Sequence, residues 1–144
     1  MAIRKQDFYE GAALYSLIKA AGAAHIRYDA PFFIVDDRVV LYLKYSTRVR
    51  SPWGFTFSAE EHTLLERPRA EGGVTIALIC GEDGIACMGI DSLKSIARNK
   101  GTASRIACFR RHGEHYGISG PDGALDSKVP PSNWHKLLNQ VSRA

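Results

Sequence analysis

The chain predicts a mixed α/β domain of the α+β kind, on three observations. Helix-period segments alternate with strand-length apolar runs in the order helix, strand, strand, strand, helix, strand over about residues 4–80. The runs 32–35 and 39–45 are apolar at nearly every position, as in strands buried on both faces. The 144 residues, 45% hydrophobic and 24% charged, suit one domain with a real core and argue against disorder.

The first helix is expected over residues 4–21. Leu14, Tyr15, Leu17, Ile18 and Ala21 fall at helical spacings, Asp7 is placed to cap the start, and Gly22 is placed to end it. A short strand follows at 25–28, and Asp29-Ala30-Pro31 turns the chain into a tight hairpin about Asp36-Asp37-Arg38. If Val35 faces Val39 there, Phe32 lies opposite Tyr42, because paired positions keep a constant sum. The loop Arg48-Val49-Arg50-Ser51-Pro52-Trp53-Gly54 leads to a strand at 55–57. Ser58 followed by Glu61 has capping-box spacing, so a second helix begins there. Residues 74–80 and 85–88 read as a hairpin with an Asp-Gly turn. A third helix is expected from Asp91 or Ser92 to about Arg98, and further strands near 105–110 and 116–119. A last helix from Ser132 sets Trp134, Leu137, Leu138 and Val141 on one face.

Composition bounds the function classes. Lys and Arg outnumber Asp and Glu by 19 to 15, a net charge of +4, which leans toward acidic partners such as DNA or RNA. The N-terminus lacks a hydrophobic signal core and no apolar stretch reaches membrane-spanning length, so no membrane partner and a cytoplasmic location are expected. Three cysteines, Cys80, Cys87 and Cys108, form no Cys-x-x-Cys pair and leave an odd thiol, which fits a reducing compartment. No glycine-rich loop follows a strand, which removes support for nucleotide hydrolysis.

The segment Tyr42-Leu43-Lys44, followed by Ser46-Thr47, Phe55-Thr56-Phe57 and Glu60-Glu61, resembles the PD-(D/E)XK, or restriction-endonuclease-like, superfamily. It is nearest in look to the archaeal Holliday-junction resolvases. The resemblance implies an αβββαβ core over about residues 4–80, a central mixed sheet flanked by helices, and an added C-terminal hairpin and helix over about 81–144. It also implies a magnesium site built from an acid on the first helix, an aspartate on the strand after it and a Glu-x-Lys on the next. Lys44 keeps the lysine, while Phe32 and Tyr42 stand where the resemblance puts the strand carboxylates.

Magnesium takes hard oxygen ligands, and phosphodiester cleavage needs carboxylates converging on it with a lysine to orient water or stabilise charge. An aromatic pair supplies neither, so robust cleavage is not expected and the chain reads as a silenced nuclease, or pseudoenzyme. Asp36, four residues from Phe32 and roughly 13 Å away along an extended strand, belongs to the turn, and Asp29 precedes Pro31 in another. Glu10 and Glu61 are the acids able to rebuild a site with Lys44, with magnesium as cofactor. Each also has a capping role, Glu61 with Ser58 and Glu10 three residues after Asp7. Lys44 either projects toward a phosphate or lies over apolar surface with a wet ammonium. Arg48, Arg50 and Trp53 form a basic and aromatic loop suited to tracking a phosphate backbone and stacking a base, unless Trp53 plugs the core beneath it. Arg110 and Arg111, with Arg105 and Lys100, make a second basic strip.

Two smaller constellations are present. Cys108, His112 and His115 carry zinc-ligand chemistry without a second ligand pair close by. Cys80 or Cys87 with His62 would form a nucleophile and base, although cysteines within apolar strands are ordinarily inert. Two functional classes follow. One is a nucleic-acid-associated protein on a nuclease scaffold. The other is a catalytically silent protein-interaction module such as an inhibitor, immunity protein or accessory subunit.

Overall fold

A computed structural model describes residues 2–23, 25–68 and 73–138. Helix α1, Lys5–Ala21, ends at Gly22 in the left-handed conformation, φ 73°, as expected. Asp7 departs from expectation: it sits inside the first turn and its carboxylate accepts the Arg4 N–H at 2.9 Å, so it satisfies the chain entering the helix. Strands β1 (Ile26–Asp29), β2 (Phe32–Val35) and β3 (Val39–Ser46) form an antiparallel meander. Val35 faces Val39, and the Phe32 and Tyr42 rings meet with centroids 5.8 Å apart.

After β3 the chain leaves the sheet as β4 (Trp53–Phe57), forms helix α2 (Ala59–Leu64), and returns as β5 (Val74–Cys80) parallel to β3. Strand β6 (Gly84–Gly89) pairs antiparallel with β5, completing a five-stranded mixed sheet in the order β1-β2-β3-β5-β6. Helix α3 is Ile90–Ile96. The second sheet runs β4-β7-β8-β9, where β7 is Ser104–Phe109, β8 Gly117–Gly120 and β9 Gly123–Ala124. The described residues thus form a mixed α/β fold with three α-helices and two sheets.

Burial on both sides of β3 and β5 explains why they are apolar at nearly every position. Val40, Tyr42, Ile76 and Leu78 face the second sheet, against Trp53, Phe55, Phe57, Ile106 and Ile118. Leu41, Leu43, Ala77 and Ile79 face the other way, against Ala13 and Leu17 of α1 and against Trp134, Leu137 and Leu138. Helix α1 flanks that face, and the second sheet covers the other together with α2 and α3, whose Leu64, Leu93 and Ile96 join the core there. The reason lies in β4, whose buried Trp53, Phe55 and Phe57 alternate with a half-buried Gly54 and an exposed Thr56. Such a one-sided strand needs an antiparallel partner with a matching apolar face, and β7 supplies Ile106 and Cys108. The segments 4–80 and 81–144 are interleaved by this pairing and by β6.

Where the last helix is expected from Ser132, the chain forms a 3-10 turn at Pro131–Asn133 and turns at 134–136 before the helical residues 137 and 138. Trp134 is buried and its Nε1–H is shared between the Ala13 carbonyl at 3.2 Å and the Ser16 hydroxyl at 2.8 Å. Val141 lies outside the described residues. Among the described residues no helix is long and apolar enough to cross a membrane.

Candidate functional site

Alternation along β3 puts Tyr42 and Lys44 on the face toward the second sheet, at the end of the strand where α2 begins. Glu61, in the first turn of α2, reaches both. Its Oε2 accepts from the Lys44 Nζ at 2.8 Å and from the Tyr42 hydroxyl in a very short hydrogen bond. Its Oε1 accepts the Ser58 N–H at 3.1 Å, while its own N–H donates to the Ser58 hydroxyl at 3.1 Å. The capping box read from sequence is formed, and the remaining oxygen closes an ion pair. Lys44 also donates to the Thr56 carbonyl at 2.5 Å and lies 4.6 Å from the Phe57 ring centre. Its ammonium points into the network, so the phosphate-facing reading of Lys44 is not what the structure displays.

The protonation states agree with that geometry. Burial pushes the Glu61 carboxyl up, but hydrogen bonds from Lys44, Tyr42 and the Ser58 N–H hold it below the usual carboxylate range. The Tyr42 hydroxyl is driven well above its ordinary value by burial, by its hydrogen bond to Glu61 and by the charges of Glu61 and Glu10. Glu10, half-buried on α1, is itself raised, chiefly by burial, with Gln6 opposing and the charge of Asp7 adding. Its field thus reaches the Tyr42 hydroxyl. At neutral pH Tyr42 is therefore neutral and Glu61 negative. A divalent cation would have to displace the ammonium to take Glu61, and Phe32 offers it no oxygen. Among the described residues no group of three or more His, Cys, Asp or Glu side chains converges.

Trp53 is only 2% exposed, donates its Nε1–H to the Arg48 carbonyl at 2.9 Å and meets Tyr116 edge-on at 6.2 Å. A base has no free ring face there, so the stacking reading of Trp53 is corrected to a core plug. The alternation Trp53, Phe55, Phe57 carried that signal in the sequence. Arg48 and Arg50 are exposed in the loop above it. The Arg110 N–H donates to the Ser51 hydroxyl at 3.0 Å, extending the β4-β7 pairing beyond Trp53. The fold therefore sets the 48–52 loop beside the 110–115 loop and joins two basic strips that are sixty positions apart in the chain. Arg111 is exposed there, but Arg110 is occupied. It donates to Asp83 at 3.0 Å and to the Glu114 carbonyl at 2.6 Å, and lies 5.2 Å from the Tyr116 ring centre. Asp83 also accepts the Tyr116 hydroxyl at 2.6 Å. Reading the sequence missed this clamp, because its members are distant and carry no motif. Lys100 pairs with Glu66, away from these loops.

The smaller constellations do not assemble. Cys108 is fully buried while His112 and His115 are exposed. His62 is buried and bonded through Nε2 to the Ser104 hydroxyl at 2.9 Å. The Cys80 and Cys108 thiols touch at 3.7 Å, one on each sheet; that contact and burial raise Cys80, and burial alone pushes Cys87 up to about 12. Both stay protonated and unreactive at neutral pH. Two grooves lie elsewhere. One of about 820 Å³ is lined by Asp91, Ser92, Ser95, Arg98, Asp126 and Asn133 among others, and of the candidate site residues read from the sequence it includes Cys87. An apolar one of about 500 Å³ runs between Phe8 and Tyr9 of α1 and Ile79 and Ile85 of the first sheet. Compared with protein-family models, with curated proteins and with solved structures, the chain matches none.

Proposed function

We propose that the chain is a nucleic-acid-associated protein on a restriction-endonuclease-like scaffold whose metal site has been replaced by a hydrogen-bonded plug. The antiparallel β1-β2-β3 meander, the crossover through α2 and the parallel return in β5 support the scaffold assignment. The observation that carries the reading is the pairing of Phe32 with Tyr42 at the expected ligand positions, with Glu61 consumed by Tyr42, Lys44 and Ser58. The exposed Arg48, Arg50 and Arg111 on two adjoining loops supply cations for phosphates, and contact there is governed by counterion release.

The test has two arms. Purified protein is incubated with supercoiled, branched and single-stranded substrates plus Mg²⁺ or Mn²⁺, with Lys44→Ala as control. No cleavage is expected, and cleavage that Lys44→Ala abolishes would establish a rearranged nuclease using Glu10, Glu61 and Lys44. In the second arm, affinity for single- and double-stranded DNA and RNA is measured across salt. Arg50→Glu and Arg111→Glu are each expected to lower the salt slope by about 1. A second reading, a catalytically silent protein-interaction module, is favoured by the apolar groove between α1 and the first sheet. Salt-tolerant binding to a protein, with no retention of nucleic acid, would select it.

A further inference from the structure

Strand β1 is the outer strand of the first sheet, and three of its four residues are exposed. The direction of its backbone groups follows from two bonds. The Asp36 N–H donates to the His25 carbonyl at 2.7 Å and the His25 N–H donates to the Asp36 carboxylate at 2.8 Å, so the backbone groups of His25 are directed toward β2. By the alternation of an antiparallel ladder, Arg27 and Asp29 then direct their backbone groups to β2, opposite Ile34 and Phe32. Ile26 and Tyr28 turn theirs outward, and among the described residues no strand takes them. Arg27 and Asp29 make no ion pair among the described residues either.

We propose that this edge pairs with the same edge of a second copy of the chain, antiparallel about a two-fold axis at Tyr28, to give one continuous sheet across a dimer. Charge selects the register. A two-fold pairing must match the outward-directed residues, which leaves three choices. Ile26 against Tyr28 sets Arg27 directly opposite Arg27. Ile26 against Ile26 sets Arg27 opposite His25. Tyr28 against Tyr28 sets Arg27 opposite Asp29 twice, in the non-hydrogen-bonded positions where side chains come closest. It also lets Tyr28 exchange both backbone bonds with its symmetry mate.

The other side of the strand agrees. Tyr28 is 62% exposed and its ring packs on Phe33 with centroids 4.9 Å apart. The two-fold would extend this pair into a row of four rings, Phe33, Tyr28, Tyr28 and Phe33, spanning the join. Charged residues on an edge strand ordinarily discourage sheet-to-sheet pairing. Here the alternation Arg27, Tyr28, Asp29 is self-complementary in the Tyr28-centred register.

The test is sedimentation of the full chain with charge-reversed variants. Wild type is expected to form a dimer, and Arg27→Asp and Asp29→Arg are each expected to raise the dissociation constant by about tenfold or more, since every pair becomes like-charged. Both positions are exposed, and far-ultraviolet circular dichroism checks that the variants fold. An equimolar mixture of the two variants should dimerise again, because each cross-strand pair then joins an aspartate of one variant to an arginine of the other. Wild type that remains a monomer up to about 100 µM, single variants that associate as wild type does, or a mixture that stays monomeric would each overturn the proposal.

Discussion

Replacing Glu61 by Gln tests whether the cluster at the end of β3 is a structural plug or an emptied active site. Gln keeps the size of the side chain and can retain one oxygen for the Ser58 N–H, but its amide nitrogen accepts nothing. The Tyr42 hydroxyl and the Lys44 ammonium then lose their shared acceptor, and Lys44 keeps only the Thr56 carbonyl. Hydrogen bonds to charged groups are worth about 1.5–3 kcal/mol. The Lys44 and Glu61 side chains are 18% and 22% exposed, so water recovers part of the loss and about 2 kcal/mol is expected. For a chain of this size that is a fall in Tm of about 4–8 °C at pH 7.

The pH dependence of that fall has a definite sign. Glu61 is held below the usual carboxylate range in the fold, so its contribution is present above the unfolded value and disappears as pH drops through the folded one. The Tm difference between wild type and Glu61→Gln should therefore shrink as pH is lowered below the ordinary carboxylate range. A carboxylate kept in place for a metal is strained when the metal is absent, and its removal raises Tm. An unchanged or higher Tm at pH 7, or a difference that widens as pH falls, would refute the plug.

Gly81 has φ 55°, and a Cβ built there would overlap the Arg48 carbonyl oxygen. Gly81→Ala should cost more than about 2 kcal/mol, from left-handed strain plus the displaced carbonyl, read by denaturant unfolding. Trp53→Phe should lower stability by about 1–3 kcal/mol through lost volume and the lost bond to Arg48, while leaving the salt dependence of nucleic-acid binding unchanged. Asp37, exposed at φ 55°, should be improved by Gly, with Asp37→Gly raising stability by about 0.5–1 kcal/mol in the same assay. Asp36 is a poorer choice for the same exchange, because its carboxylate accepts the His25 N–H at 2.8 Å.

Local chemistry was legible in the residues themselves. Gly22 ending α1, Ser58 and Glu61 capping α2, the Asp-Gly turn between β5 and β6, and the Val35 to Val39 register all depend on contacts within a few positions. The chain writes these as spacing. The pairing of Phe32 with Tyr42 followed from that register and needed nothing more distant. What covers the second face of the first sheet was not legible, because β4 has to find β7 some fifty residues later and no local preference names that partner. The same limit hid the Asp83, Arg110 and Tyr116 clamp and the meeting of the two arginine loops. Spacing records which groups one helix turn or one hairpin can bring together. Whether a charged side chain ends in solvent or in a network is decided by what the rest of the chain packs against it.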